Sequence, residues 1–327
     1  MQAFQIDQIP LSAIDVADKG FRITRADDDV SALAASMTGA GLLVPPLVLA
    51  RDQGFVPVSG FRRLAAAASL DWESIACRIA ASTSEKTLAK QAVAENAFQR
   101  ELSPGEQVRA AGLLGRHMDA REIADASLAI FNTRLNPGFI THLIRIHSLP
   151  HPAIDLLEAG NLSIKAAKTL TGFDTSTAAA FLSLFSKVRV SSSKQMEIMT
   201  WAREISVREK LPVADLCAGK EIAALLETGG PTAKNAGHKD LAAAGNLLRA
   251  YLFQRRFPAL DQAKKSAAGY LQTLKLPRGV TMTLPEHFES MMYSLSMNFK
   301  TPEELQTQLK ALAELPGQEE FASLVNR

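Results

Sequence analysis

Along the first hundred residues, short apolar runs alternate with stretches of helical period. Leu47-Val48-Leu49-Ala50 and Phe55-Val56-Pro57-Val58 flank the polar Arg51-Asp52-Gln53-Gly54, a pattern that predicts a β-hairpin. Ile75 to Ile79 alternates as a further strand. A helix is expected after Asp27-Asp28-Asp29, whose carboxylates would cap it, running to Met37 and ended by Gly39 and Gly41. The Ala-rich Arg62 to Leu70 and the stretch Glu85 to Phe98 also carry helical periodicity. Residues 1–100 are therefore expected to form an α+β domain with a mixed sheet.

From Ser103 the pattern becomes almost wholly helical. Ser103-Pro104-Gly105-Glu106 combines a capping hydroxyl, proline in the first turn and an acid three residues later. Helices are expected over 103–117, 120–129, 137–148, 152–159, 163–170, 175–185 and 193–205, an all-α domain covering 101–210. Leu211 to Gly237, with Gly229-Gly230-Pro231, reads as a boundary. Residues 211–327 are expected to be mixed α/β. They carry two helical stretches, then strand-like alternation at Val280–Leu284 and Met291–Phe299, and a capped helix from Thr301-Pro302-Glu303-Glu304.

The length of 327 residues fits two or three domains of roughly 100–200 residues each. No apolar run approaches the roughly 18–20 residues that a membrane helix needs. The start, MQAFQIDQIP, lacks the basic and apolar regions of a secretory signal, and Cys77 and Cys217 stand alone, so a reducing cytoplasm is expected. The 36 basic and 34 acidic residues nearly cancel, so any nucleic-acid role must rest on local charge. Two windows stand out. Ala126 to Ile154 contains no acid, and Leu247 to Arg278 sets seven basic residues against Asp261 alone.

Between a strand and a helix, Val58-Ser59-Gly60-Phe61-Arg62-Arg63-Leu64-Ala65 forms a small turn followed by two arginines. Glycine lets backbone approach an anion, free N–H groups at a helix start favour negative charge, and arginine adds a fork suited to phosphate. Upstream lies Gly41-Leu42-Leu43-Val44-Pro45-Pro46, and downstream Glu95-Asn96-Ala97-Phe98-Gln99-Arg100-Glu101-Leu102-Ser103-Pro104-Gly105-Glu106. In this order and spacing the three segments resemble those of the ParB family of chromosome- and plasmid-partition proteins, over roughly residues 1–210.

The resemblance implies an N-terminal domain of the kind shared by ParB proteins and sulfiredoxins. It implies that Ser59, Gly60, Arg62 and Arg63 hold the triphosphate of CTP. Glu95 and Asn96 would be associated with hydrolysis and magnesium, Glu95 as the catalytic candidate and Asn96 as the metal ligand. The family commonly has Gln where this chain has Val44, and Glu where it has Phe61. Neither side chain can position a water, so nucleotide binding is implied more firmly than CTPase activity. Sulfiredoxin chemistry needs a cysteine in the turn, and none is there.

Ala120-Arg121-Glu122-Ile123-Ala124, followed after a long connection by Gly138 to Arg145, reads as a helix-turn-helix with a recognition helix. Thr141, His142 and Arg145 fall near one face, while Lys165 and Lys168 on a later helix suit phosphate contact. His117, His147 and His151 read as ordinary packing or surface residues. The resemblance implies a double-stranded DNA ligand, a homodimeric clamp acting in segregation, nucleoid association and a ParA-type ATPase partner. A KorB-type transcriptional regulator without a partition role is the alternative. Arg249 to Arg278 is a candidate for DNA contact without sequence preference, and residues 279–315 for dimerisation.

Overall fold

The computed structural model describes residues 5–25, 29–228, 240–274, 276–283, 293–319 and 321–322. Asp27 and Asp28, Gly229-Gly230-Pro231, Leu284, and Met291 with its neighbour at 292 lie outside the described residues. The chain divides into two compact units, residues 1–196 and 197–327.

The first unit opens with β1 (Gln5–Pro10), α1 (Ser31–Ala40), β2 (Leu47–Arg51), β3 (Gly54–Ser59), α2 (Phe61–Ser69), β4 (Ser74–Ile79) and α3 (Glu85–Ala97). The predicted hairpin is β2–β3, and the four-stranded sheet has the order β1-β4-β2-β3. β1 runs antiparallel to β4, whereas β2 meets β4 in parallel through Leu47↔Arg78 and Val48↔Ile79. Gly39 does not end the first helix. It continues one residue further, to Ala40, and Gly41 stops it at φ +75°, a conformation that costs glycine little.

Eight helices follow to the end of the unit: α4 (Pro104–Leu114), α5 (Ala120–Asp125), α6 (Ser127–Phe131), α7 (Pro137–His147), α8 (Pro152–Glu158), α9 (Ile164–Leu170), α10 (Thr175–Phe185) and α11 (Ser192–Glu209). The unit boundary falls inside α11. The single helix expected over 120–129 is two, because the chain turns at Ala126, and the Ser127 hydroxyl donates to the Ala124 carbonyl and accepts from Leu135 N–H. Sequence-encoded caps start several of the helices. Ser103 and Glu106 form a reciprocal capping box, as do Asp119 and Glu122, and Asn136 accepts from Phe139 N–H at 2.8 Å.

Glu106 does more than cap. It is 3% exposed, and Arg100 grips its carboxylate with two nitrogens at 2.6 and 2.8 Å. Burial pushes its carboxyl up, but the Arg100 and Ser103 hydrogen bonds and the charges of Arg100 and Arg109 outweigh that and hold it low.

Two apolar clusters lie against the sheet. One joins Ile9, Val48, Ile75 and Cys77 to α1 and α2. The other joins Leu47, Leu49 and Val58 to α3, and continues without a break through α4, α5 and α6 to Ile140 of α7. Arg109 adds a polar tie, donating to the Ile23 carbonyl at 3.2 Å and to Glu158 of α8 at 2.8 Å. Packing therefore does not stop at residue 100.

The second unit contains the rest of α11, then α12 (Val213–Cys217), α13 (Lys220–Thr228), α14 (Leu241–Arg256), α15 (Pro258–Thr273), β5 (Val280–Thr283), β6 (Ser294–Met297) and α16 (Pro302–Ala313). β5 and β6 form an antiparallel pair, and Thr301 caps α16. Arg249, Arg256 and Arg255 pair with Glu197, Glu204 and Glu209 of α11, beside a cluster of Trp201, Phe253 and Phe257. Lys265 pairs with Asp261. The basic window at 247–278 is thus largely a set of ion pairs rather than an open cationic face. Among the described residues no helix is long and apolar enough to cross a membrane.

His147 packs against α4 where Gly112 leaves no room for a Cβ, and burial, followed by the charges of Arg116 and Arg109, pushes its imidazole below the ordinary 6.5. In the window between that lowered value and 6.5 the unfolded chain binds the extra proton, so stability rises with pH there and falls on acidification. Denaturant unfolding of the full chain from pH 7 to 5 is expected to show this slope, and His147→Asn to reduce it.

Candidate nucleotide pocket and cationic helical face

β3 ends at Ser59, and Gly60 then turns the chain at φ +84° to begin α2. A Cβ on Gly60 would also lie 2.9 Å from Pro46, so glycine is required twice over. The turn projects Phe61, Arg62 and Arg63 into a pocket of about 410 Å³. Its second wall is the segment Gly41–Val44 that follows α1. Its third is the end of α3 and the turn after it, which supply Glu95, Asn96 and Gln99. Phe21, Ile23, Leu33 and Met37, with the hydroxyls of Thr24 and Ser36, complete a largely apolar lining. This is the form of a small-molecule site: an apolar cavity with a few converging polar groups.

The three sequence motifs are thereby brought together. Gly60, Arg62, Arg63, Glu95 and Asn96 all line the pocket, whereas Ser59 is 1% exposed, outside the lining, and its hydroxyl has no hydrogen-bond partner among the described residues. Arg62 donates to the Asp29 carbonyl at 3.1 Å. Arg63 donates to the Val44 carbonyl at 2.6 Å and to the Glu95 carboxylate, which also accepts from Gln99 at 2.9 Å. The division of labour expected from the sequence, arginines for phosphate and Glu95 for water, therefore meets a direct ion pair between the two. The Asn96 amide donates to the Ala92 carbonyl at 2.8 Å.

Two cations near the pocket went unnoticed in the sequence. Arg78 donates to the Pro45 carbonyl at 3.0 Å; burial lowers its pKa, the Glu95 charge opposes that, and Arg63 adds to it. A basic residue in the middle of the short alternating strand 74–79 was the available signal. Arg22 lies 5.5 Å from the Phe61 ring centroid, a cation–π contact that no local pattern announces.

A second group of candidate residues gathers on α7 and α9. Thr141 and Arg145 are exposed on α7, and Lys165 and Lys168 on α9. Thr141 donates to the Pro137 carbonyl at 2.9 Å and Arg145 to the Thr171 carbonyl at 3.2 Å. The His142 imidazole is held below its usual range by desolvation and then by the charges of Lys168 and Arg145. The two helices thus place their cations within electrostatic reach of each other. Among the described residues no group of three or more His, Cys, Asp or Glu side chains could hold a metal ion.

Residues 1–97 match the ParB N-terminal domain. Over 164 residues the chain is 27% identical to the chromosome-partitioning protein Spo0J of Thermus thermophilus, a match covering 50% of this chain and 58% of that protein. Over 146 residues it is 30% identical to the stage 0 sporulation protein J of Bacillus subtilis, covering 45% and 50%. The chain therefore spans about half the length of the curated relatives it matches. Solved structures similar to it include C-terminally truncated ParB of Caulobacter crescentus with CTP-gamma-S, at 18% identity and TM-score 0.27, covering 55% of this chain and 98% of that one. The same protein complexed to the centromeric parS site gives 16% identity and TM-score 0.35, with coverage of 58% and 96%. The three motifs thus stand in order across a stretch whose residues 1–97 match the ParB N-terminal domain, and the chain is similar over about half its length to chromosome-partitioning proteins of that kind.

Proposed function

We propose that this chain is a nucleotide-binding and DNA-binding partition protein. It takes a nucleoside triphosphate, CTP by family resemblance, in the pocket at the start of α2. It takes double-stranded DNA along α7 and α9, with α5 and α7 as the two helices of a helix-turn-helix. The observation that carries this reading is the convergence of Gly60, Arg62, Arg63, Glu95 and Asn96, from segments more than thirty residues apart, on one cavity.

Each part of the pocket has a chemical task. The first turn of α2 offers backbone N–H groups and two guanidinium groups to phosphate oxygens. The apolar wall accepts a base or sugar without competing for water. Asn96 fits as one protein ligand of a magnesium ion held mainly by the phosphates, since that ion keeps oxygen ligands and few protein contacts. A bound magnesium would neutralise phosphate charge. Val44 and Phe61 offer no group to orient an attacking water, so hydrolysis is expected to be slow or absent.

On the DNA face, Lys165 and Lys168 give affinity through phosphates, whereas Thr141, His142 and Arg145 are placed to read base edges. A homodimer closing as a clamp, with the β5–β6 and α16 region of the second unit as its dimer contact, completes the proposal, with a ParA-type ATPase as partner.

Calorimetric titration with CTP, ATP, GTP and UTP in magnesium, with and without DNA, tests the nucleotide half. Selective CTP binding is expected, reduced about 10- to 100-fold by Arg62→Ala or Arg63→Ala, as loss of a charged hydrogen bond implies. No binding of any nucleotide would contradict it. For the DNA half, Lys165→Ala and Lys168→Ala should weaken binding to all sequences alike, each lowering the slope of log affinity against log salt by about one. Arg145→Ala should instead relax sequence preference. An unchanged salt slope in the lysine variants would contradict the assignment of that face.

A further inference from the structure

Among the described residues, Glu95 is the lone acid lining the pocket. It is 14% exposed, and its partner Arg63 is 13% exposed. One guanidinium nitrogen of Arg63 binds the Glu95 carboxylate while the other donates to the Val44 carbonyl, which pins the group between α3 and the segment before β2. Gln99 donates to the same carboxylate oxygen, Oε1, that Arg63 holds. Arg62 is exposed and donates to the Asp29 carbonyl at 3.1 Å. To take up an anion, Arg63 must first exchange a carboxylate for it.

We propose that Glu95 is an internal counter-ion that holds Arg63 back from an incoming phosphate, and so sets the affinity of the pocket, rather than a base that activates water. This rests on the nucleotide reading of the pocket. In a site so little exposed, a carboxylate a few ångströms from the arriving charge both cancels Arg63 and repels the ligand. Binding then requires the transfer of Arg63 from carboxylate to phosphate. Glu95 is a positioning residue in this scheme, acting on the ligand through Arg63.

The test uses the full chain, inorganic triphosphate and CTP as separate probes, and a chelator to remove metal. Glu95→Gln keeps the size and removes the charge, and is expected to bind both probes about tenfold more tightly than the wild type. Glu95→Asp, which keeps the charge, should stay near the wild type. The gain should vanish in the double variant Arg63→Ala/Glu95→Gln. Unchanged or weaker binding by a folded Glu95→Gln, with wild-type binding intact, would overturn the counter-ion role and leave the nucleotide reading standing. No binding by any form, with the chelator and in magnesium alike, would overturn both. A second measurement needs no variant: saturating triphosphate should shift the Glu95 carboxyl carbon and the Arg63 side-chain nitrogen signals in NMR, and an unmoved Glu95 signal would overturn the exchange.

Discussion

Helix α3 is packed on two sides, and both candidate surfaces depend on that. Leu88, Ala89, Ala92 and Val93 are fully or almost fully buried, in the same cluster as Leu47, Leu49 and Val58 of the sheet and Leu113, Leu114 and Ile130 of the helices beyond. A helix with small alanines on its apolar side lets a sheet and a helical layer approach it closely, and interiors packed at crystal-like density hold such a helix in one position. Its last turn then has no freedom to wander. That turn carries Glu95 and Asn96, with Gln99 just after it, to the pocket opposite α2, while the chain beyond is tied by Arg100 to the buried Glu106 carboxylate at the start of α4. The same cluster extends to Ile140 under the exposed residues of α7.

Charge is used in two different ways along the chain. In the second unit the basic window is answered by acids: three arginines of α14 meet three glutamates of α11, and Lys264 lies 4.6 Å from the Phe253 ring centroid. Exposed pairs of this kind add little stability singly, but they cancel the field a polyanion would sense. In the first unit the window 126–154 contains no acid, and desolvation, followed by the charges of Lys168 on α9 and Arg145 on α7, holds the His142 imidazole low. Two windows that look alike in composition therefore differ in what they offer a phosphate backbone. The difference lies in helix packing that brings residues about fifty positions apart together.

Much of this was legible in the residues. The hairpin, the strand at Ile75–Ile79 and most helix limits follow from period and punctuation, because caps such as Ser103 and Asn136 act within three residues of themselves. Part of the pocket's lining was legible too, since Gly60 and the arginines state their chemistry locally. What local pattern does not contain is pairing across the fold. That Arg63 engages Glu95, that Ser59 faces inward, and that Arg255 and Arg256 bind glutamates are all decided by how elements stack. The break at Ala126 escaped for a different reason: the run 120–129 keeps a helical composition through a turn fixed by one serine hydroxyl.

The central claim is that the cavity at the start of α2 is where nucleotide binds, and amide hydrogen exchange reads this most directly. With the full chain in CTP and magnesium, protection is expected to rise at residues 41–44, 60–64 and 95–99, which form the three walls, relative to the chain alone. Saturating CTP that leaves these segments unchanged, or protects residues elsewhere instead, would contradict the account.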